Sequence, residues 1–172
     1  MDTNKPRTSD EVARRSLVLY SAIAATHGVS KNDLAQWLKG ENLWEELTPR
    51  ELRFLTQAEP PERERIWMTW FAEAEYTLLW SIGKIESLPL PTSKCDTDLI
   101  IGAIPLWQST ASFIHSAVLK EVEVRQETER IYNIRAAKNI LLRIIDKLVG
   151  IKLLGHSALA FLPSYPLVYF GQ

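Results

Sequence analysis

Helix start signals are the feature of this sequence that most restricts its fold. In three places a Ser or Thr stands three residues before an acidic residue, with apolar residues at helical spacing after it: Thr8 and Glu11, Ser30 and Asp33, Thr48 and Glu51. In such a pattern the hydroxyl accepts a hydrogen bond from a free backbone N–H of the first turn, and an acidic side chain can bind the N-cap amide in return. Pro49 adds a residue suited to the first helical position, and Gly28 and Gly40 are suited to ending helices. The pattern predicts helices that begin near residues 8, 30 and 48.

The remainder of the chain also has helical rather than strand character. A long helix is predicted from about Glu62 to Ile82, with Gly83 just beyond it, and Pro105 should end or kink a helix in the next apolar segment. Another helix is predicted from Lys120 to about Val149. Because no sustained apolar–polar alternation occurs, we predict an all-α fold, formed by a single compact domain of about six helices over residues 1–172.

Three segments are predicted to lie outside this helical pattern. Residues 1–8 should form a flexible N-terminus, and residues 84–98, which include the proline-containing stretch "SLPLPTSKCD", should form an irregular connector. Residues 150–172 form an apolar tail, interrupted by Lys152, His156, Pro163 and Pro166. These interruptions favour a tail that docks on the domain over a helix that spans a membrane.

Composition and motifs argue against several functional classes. The formal net charge of -1 provides no global attraction to nucleic acid. A single cysteine, Cys95, and a polar N-terminus without a secretory signal indicate a cytoplasmic protein. The three histidines are far apart in sequence, and no phosphate-binding loop or nucleophile motif is present. We therefore predict no catalytic residue, no cofactor and no metal site.

The aromatic stretch "ERIWMTWFAEAEYTLLW", residues 64–80, carries the carboxylates of most interest. On a regular helix Glu73 and Glu75 point about 160° apart, so they cannot act as a carboxylate pair. Most of the aromatic residues, including Trp67 and Trp70, are predicted to lie on the packing face. Glu75 is predicted to face solvent, and Glu73 to pair with an arginine such as Arg15 or Arg53 or to contact a ligand.

Several motifs occur together in the N-terminal half: "RSLVLYSAIAATHG", "WLKGENLWEELTPRELRFL" and "WFAEAEYTLLWSIG", followed by "LP" and "KCD". In this order they resemble the uncharacterised bacterial family called domain of unknown function 4272. The family pattern has an Arg at the start of the first helix, a Thr-Pro-Glu type of turn, a W-x-x-E-A helix and a Cys-Asp connector. The resemblance covers roughly residues 14–98, and more loosely residues up to about 135. It implies a helical fold and no particular activity.

The sequence also departs from this family pattern. Where the family tends to have Asp-x-x-Tyr-Arg and then a His-Trp pair, the chain reads "ERIYNIRAA", so Glu129 and Tyr132 match but Asn133, Arg135 and Ala136 do not. These differences show that the C-terminal third diverges from the family. In the N-terminal half, Glu75 stands where the family favours an apolar residue.

Two hypotheses about function follow. The first is a helical protein-interaction module without catalytic activity, which binds another protein or a second copy of itself through an aromatic surface and the apolar tail. The alternative is a small-ligand-binding or hydrolytic domain. In that domain Glu73, Trp70, Tyr132 and Arg15 would line a cavity between helices. Binding of nucleic acid is not expected.

Overall fold

All regular secondary structure in the described residues is helical. A computed structural model describes residues 7–89 and 94–134, and in these ranges the predicted all-α fold is confirmed. Seven α-helices lie wholly within the described ranges: α1 (Ser9–Thr26), α2 (Lys31–Gly40), α3 (Pro49–Thr56), α4 (Glu62–Thr69), α5 (Phe71–Ser81), α6 (Thr97–Ala103) and α7 (Ala111–His115). A short 3-10 helix, Trp44–Glu46, lies between α2 and α3, and residues 121–134 are also helical.

The chain divides into two units, Met1–Lys120 and Glu121–Gln172, and each is described by itself. The first contains α1 to α7. In the second, residues 121–134 are described, and Arg130 forms an ion pair with Glu127 within this helix. The predicted apolar tail, 150–172, and the predicted helix beyond residue 134 lie outside the described residues. The prediction of a single domain over residues 1–172 stays a prediction.

The predicted helix start signals form the hydrogen bonds that define caps. The hydroxyl groups of Thr8, Ser30 and Thr48 accept from the backbone N–H three residues later, and the boxes at Thr8 and Thr48 are reciprocal. After α1 the chain turns at Gly28, whose φ of +89° is a backbone conformation that favours glycine. These local features were predictable because each depends on residues only a few positions apart.

Helix α1 is the centre of the first unit. Its middle, from Leu17 to Ala24, carries only small or apolar side chains apart from Tyr20, and every residue in it is buried. A helix that is apolar around its circumference is expected to be surrounded by other elements. Accordingly, α1 contacts α2, α3, α4, α5 and α7. Two of its three serines, Ser16 and Ser21, are buried as well.

The predicted continuous helix over residues 62–82 is wrong, because the chain turns at Trp70 between α4 and α5. The amide of Trp70 donates to the carbonyl of Trp67, three residues back, at 3.3 Å. The buried side of this segment is centred on Met68, Glu75 and Leu79, all fully buried, and not on the tryptophans. The predicted solvent-facing position of Glu75 is therefore wrong, and so is the prediction that Trp67 and Trp70 lie on the packing face.

Candidate functional site

The predicted site residue Glu73 lies in the first turn of α5 and is partly buried. Its Oε1 accepts a hydrogen bond of 3.0 Å from the backbone N–H of Cys95, so its partner is the connector and not the arginine that the sequence predicts. Burial and the carboxylate of Glu73 raise the pKa of the Cys95 thiol to about 12. A thiol with such a pKa remains protonated and is a poor nucleophile.

Arg15, a second predicted site residue, binds Glu51 instead of Glu73. Its two terminal guanidinium nitrogens donate to the two carboxylate oxygens at 2.9 and 2.5 Å, and Glu51 is only 1% exposed. Thr48 also donates to Glu51, through its backbone N–H at 2.9 Å and its hydroxyl at 2.8 Å. Burial opposes ionisation of Glu51, but the bonds and charge of Arg15 and the bonds from Thr48 outweigh it, so the pKa of Glu51 is lowered. This ion pair joins α1 to α3.

Glu75 is the carboxylate that the sequence prediction missed. It is 0% exposed, and its Oε1 lies 2.5 Å from the hydroxyl oxygen of Ser16 on α1. Burial raises the pKa of Glu75 to about 8, although the Ser16 hydrogen bond and the charge of Arg15 lower it in part. The only signal in the sequence that could have revealed this residue was its position between Ile82 and Met68 on the helical wheel, because both of these apolar residues are buried.

The other two predicted site residues are both exposed. Trp70 is exposed at the α4–α5 junction, and Tyr132 is exposed in the second unit. A cleft of about 400 Å³ is present in the first unit, lined by Lys84, Ile85, Glu86, Ser87, Asp98, Leu99, Gly102 and Ala103. None of the residues Glu73, Trp70 and Arg15 lines this cleft. The hypothesis of a ligand site between helices stays a prediction.

An exposed aromatic surface lies on α4 and the adjoining end of α3. Ile66, Trp67 and Trp70 are 54%, 39% and 45% exposed, and with Arg63 they follow a helical spacing that places them along one side. We call this set, together with Arg50 and Arg53 of α3, the aromatic face.

Arg50 fixes the position of Trp67 within the aromatic face. Its guanidinium carbon lies 3.6 Å from the centre of the indole ring, and its nitrogens donate to Glu64 at 2.6 and 3.2 Å. Trp67 also forms an edge-type contact with Phe71, with the ring centres 4.8 Å apart. The exposed indole thus contacts both a cation and a second aromatic ring.

Three arginines of the aromatic face lie near Glu64. The hydrogen bonds of Arg50 lower the pKa of Glu64, and the charges of Arg50, Arg53 and Arg63 lower it further, so three guanidinium groups lie near one carboxylate. Arg53 and Arg63 are exposed. This surface can therefore offer both apolar contact area and hydrogen bonds to an anionic group.

The sequence pattern described as Domain of unknown function (DUF4272) matches residues 2–142, which is most of the chain. The chain belongs to this family. No curated protein and no solved structure shows significant similarity to it.

The motifs by which the chain resembles DUF4272 proteins bind one another in pairs. Arg15 of the first motif binds Glu51 of the Thr-Pro-Arg-Glu turn, and Glu73 of the W-x-x-E-A motif binds the amide of Cys95 in the Cys-Asp connector. Asp96 of that connector caps α6 by accepting from the N–H of Asp98 at 2.9 Å. In this DUF4272 domain these polar motif residues therefore stabilise junctions between helices.

Other kinds of site have no support in the described part of this DUF4272 chain. Over residues 7–89 and 94–134, no group of three or more His, Cys, Asp or Glu side chains is arranged to hold a metal ion. None of the helices in the same ranges combines the length and the apolarity needed to cross a membrane. The predictions about metals and cofactors stay predictions.

Proposed function

We propose that this domain is a protein-interaction module that binds an acidic segment of another protein through the aromatic face. The observation that carries the proposal is the exposure of Ile66, Trp67 and Trp70 next to one another on α4. Neighbouring exposed apolar side chains with charged groups at their margin are characteristic of binding surfaces. Tryptophan and arginine are also the residues that most often dominate the binding energy of protein interfaces.

The charges favour an acidic partner that also carries an apolar side chain. Glu64, the carboxylate on which Arg50, Arg53 and Arg63 act, is already engaged because it binds Arg50. Arg53 and Arg63 remain exposed beside the indole rings. Carboxylates of a partner would bind these guanidinium groups, and its apolar side chain would cover Trp70 and Ile66.

The structure of the face also favours tight binding for its size. A side chain that is already fixed loses less conformational entropy when a partner binds it. The contacts of Trp67 with Arg50 and Phe71 support such a restriction of its ring. The restricted residue is therefore suited to be an anchor, while Trp70 provides additional area.

The proposed setting is the cytoplasm of a bacterium, with a role that does not require catalysis. The single cysteine and the family resemblance support this setting. The structural use of Arg15, Glu51 and Glu73 leaves the polar motif residues committed to helix junctions, which supports a binding role over a hydrolytic one.

A pair of designed peptides tests the proposal. The probe is an amphipathic peptide of about 15 residues, with leucine along one side and glutamate along the other. The matched peptide has lysine in place of each glutamate. Binding to the full chain is followed by the NMR signals of the indole N–H groups. We expect the acidic peptide to shift the Trp67 and Trp70 signals, and the lysine peptide to leave them unchanged.

Substitution of single tryptophans tests whether binding is specific to the aromatic face or common to any exposed indole ring. Trp70→Ala should weaken binding of the acidic peptide by about tenfold or more. The control is Trp107→Ala, which removes another exposed indole from the loop between α6 and α7; it should leave the affinity unchanged. The proposal is wrong if neither peptide shifts the Trp67 and Trp70 signals, or if the two variants weaken binding equally. Concentration-dependent shifts without peptide would instead identify a second copy of the chain as the occupant.

A further inference from the structure

Glu75 is a buried carboxyl group between α1 and α5, and it forms no ion pair with any residue of the ranges 7–89 and 94–134. Its Oε1 shares a short contact of 2.5 Å with the Ser16 hydroxyl. Its Oε2 is buried and has no hydrogen-bond partner among residues 7–89 and 94–134. An ionised carboxylate normally needs several donors or a paired cation when it is removed from water. One hydroxyl group is a poor substitute for either.

Within the described ranges, the titratable and charged groups that interact with Glu75 are Arg15 and Tyr20 of α1. The nearest cation that acts on it is Arg15, but both terminal nitrogens of Arg15 are already bound by Glu51 of α3. Tyr20 also belongs to α1, and burial together with the charge of Glu75 raises the pKa of its hydroxyl. Helices α4 and α6 contact α5 as well, and within the described ranges neither provides Glu75 with a hydrogen bond or an ion pair. The surroundings therefore favour the neutral carboxyl group.

The neutral form fits the geometry at Ser16. A protonated carboxyl group can donate to the serine oxygen, whereas an ionised one can only accept from the hydroxyl. The 2.5 Å distance is compatible with a strong O–H···O bond in either direction. Only the neutral form avoids leaving a charge in the core, since burial is the largest influence on this group.

We propose that Glu75 carries a proton while α1 and α5 are in contact and releases it when they separate, so that pH controls how readily this contact opens. Glu75 is thus a pH-sensitive switch built into the core. The inference is independent of the proposed function, because it involves the α1–α5 contact and none of the residues of the aromatic face.

The direction of the pH effect follows from proton linkage. In the closed state the pKa of Glu75 is about 8, and in an opened or unfolded chain it returns to the model-compound value of 4.5. Below the lower value both states hold the proton, and the stabilisation by the bound proton is fully present. Between the two values only the closed state holds it, so each unit of pH increase raises the opening equilibrium constant about tenfold. Above the higher value both states are ionised and the effect levels off.

The first experiment measures the proton directly in the unmodified chain. Glutamate labelled with carbon-13 at the side-chain carboxyl carbon gives one NMR signal for each residue, and the Glu75 signal is assigned by its loss in Glu75→Gln. We expect this signal to titrate with a midpoint near 8, in keeping with the pKa of the closed state. A midpoint near the ordinary glutamate value would overturn the proposal, whatever the stability of the variant.

The second experiment measures opening by native-state hydrogen exchange of the α5 amides. Wild type and Glu75→Gln are compared at the same pH, so that the intrinsic pH dependence of exchange cancels. The ratio of their opening constants should rise about tenfold per pH unit between about pH 5 and pH 8. Glu73→Gln, on the same helix but partly exposed, is the matched control: its amide oxygen can still accept from the Cys95 N–H, so its opening constant can be offset from that of wild type but should follow the same pH dependence.

The slope of this ratio, and not the absolute stability of the variant, is the readout. Parallel curves for wild type and Glu75→Gln over the whole range would refute the switch. If Glu75→Gln does not fold, Glu75→Leu serves in its place, because it also removes the titrating group. The same slope is then expected.

Discussion

The α1–α3 and α1–α5 junctions each contain one buried glutamate. The pKa of the first, Glu51, is lowered, and the pKa of the second, Glu75, is raised. Glu51 and Glu75 are 1% and 0% exposed. Their partners are consecutive residues of α1: Arg15 binds Glu51, and Ser16 contacts Glu75. Since residue type and burial are almost identical, the difference between the two carboxylates comes from the partner.

The comparison shows that burial by itself does not determine the charge of a carboxyl group. At Glu51 a bidentate arginine and two donors of Thr48 compensate for the lost water, so its pKa falls. At Glu75 one hydroxyl group does not compensate, so its pKa rises to about 8. The fold therefore accommodates the first group as an anion, whereas it accommodates the second only in the protonated form.

The largest expected effect is that of removing the anion from the α1–α3 junction. Glu51→Ala leaves the partly buried guanidinium of Arg15 without its carboxylate and also removes the reciprocal helix cap. We expect the free energy of unfolding to fall by about 3 kcal/mol, as measured by urea denaturation near neutral pH. The value lies at the low end of the range for broken buried pairs, because the Arg15 side chain retains some exposure.

A double-mutant cycle with Arg15→Ala provides the control for this prediction. If the pair is the source of the effect, the double variant should be less destabilised than the sum of the single variants. Additive losses would contradict the account of the α1–α3 junction, because they would show that Arg15 and Glu51 act independently.

An effect of opposite sign is expected at the α1–α5 junction. At neutral pH Glu75 is ionised in the unfolded chain but must take up a proton in the folded one, and this uptake costs free energy that Glu75→Leu removes. The substitution also removes Oε2, which has no hydrogen-bond partner in the described part of the chain. We expect the free energy of unfolding to rise by about 2 kcal/mol near pH 7. The same denaturation measurement near pH 5 should show a smaller gain. A loss of stability at both pH values would mean that the carboxyl group is well accommodated, which would remove the contrast with Glu51.

The smallest expected effect separates the helix cap from the ion pair. Thr48→Ala removes the hydroxyl that donates to Glu51 at 2.8 Å and caps α3, but it leaves Arg15 in place. Thermal unfolding should show a loss of about 1 kcal/mol. Thr48→Ser retains the hydroxyl and should remain close to wild type. A loss as large as that of Glu51→Ala would assign the stability of this junction to the cap and not to the ion pair.

The parts of the fold that were predictable from sequence depend on neighbours along the chain. Thr8, Ser30 and Thr48 were identified as helix starts, and the structure places an N-cap at each. The all-α class and the family resemblance were also predictable. The break at Trp70 was missed, because no proline or glycine marks it. The predicted packing face is centred on Trp67, whereas the buried side of the segment is centred near Glu75.

The sequence by itself determined where helices start, because a cap needs only a hydroxyl and a backbone N–H three residues apart. The tertiary structure decided which carboxylates are buried and with what partner. Arg15 and Glu51 are 36 positions apart, and Ser16 and Glu75 are 59 positions apart. Such pairs form only when packing brings distant helices together, so periodicity within one helix cannot reveal them. The same packing turned Trp67 and Trp70 outward and Glu75 inward, and thereby set the candidate binding face and the candidate switch.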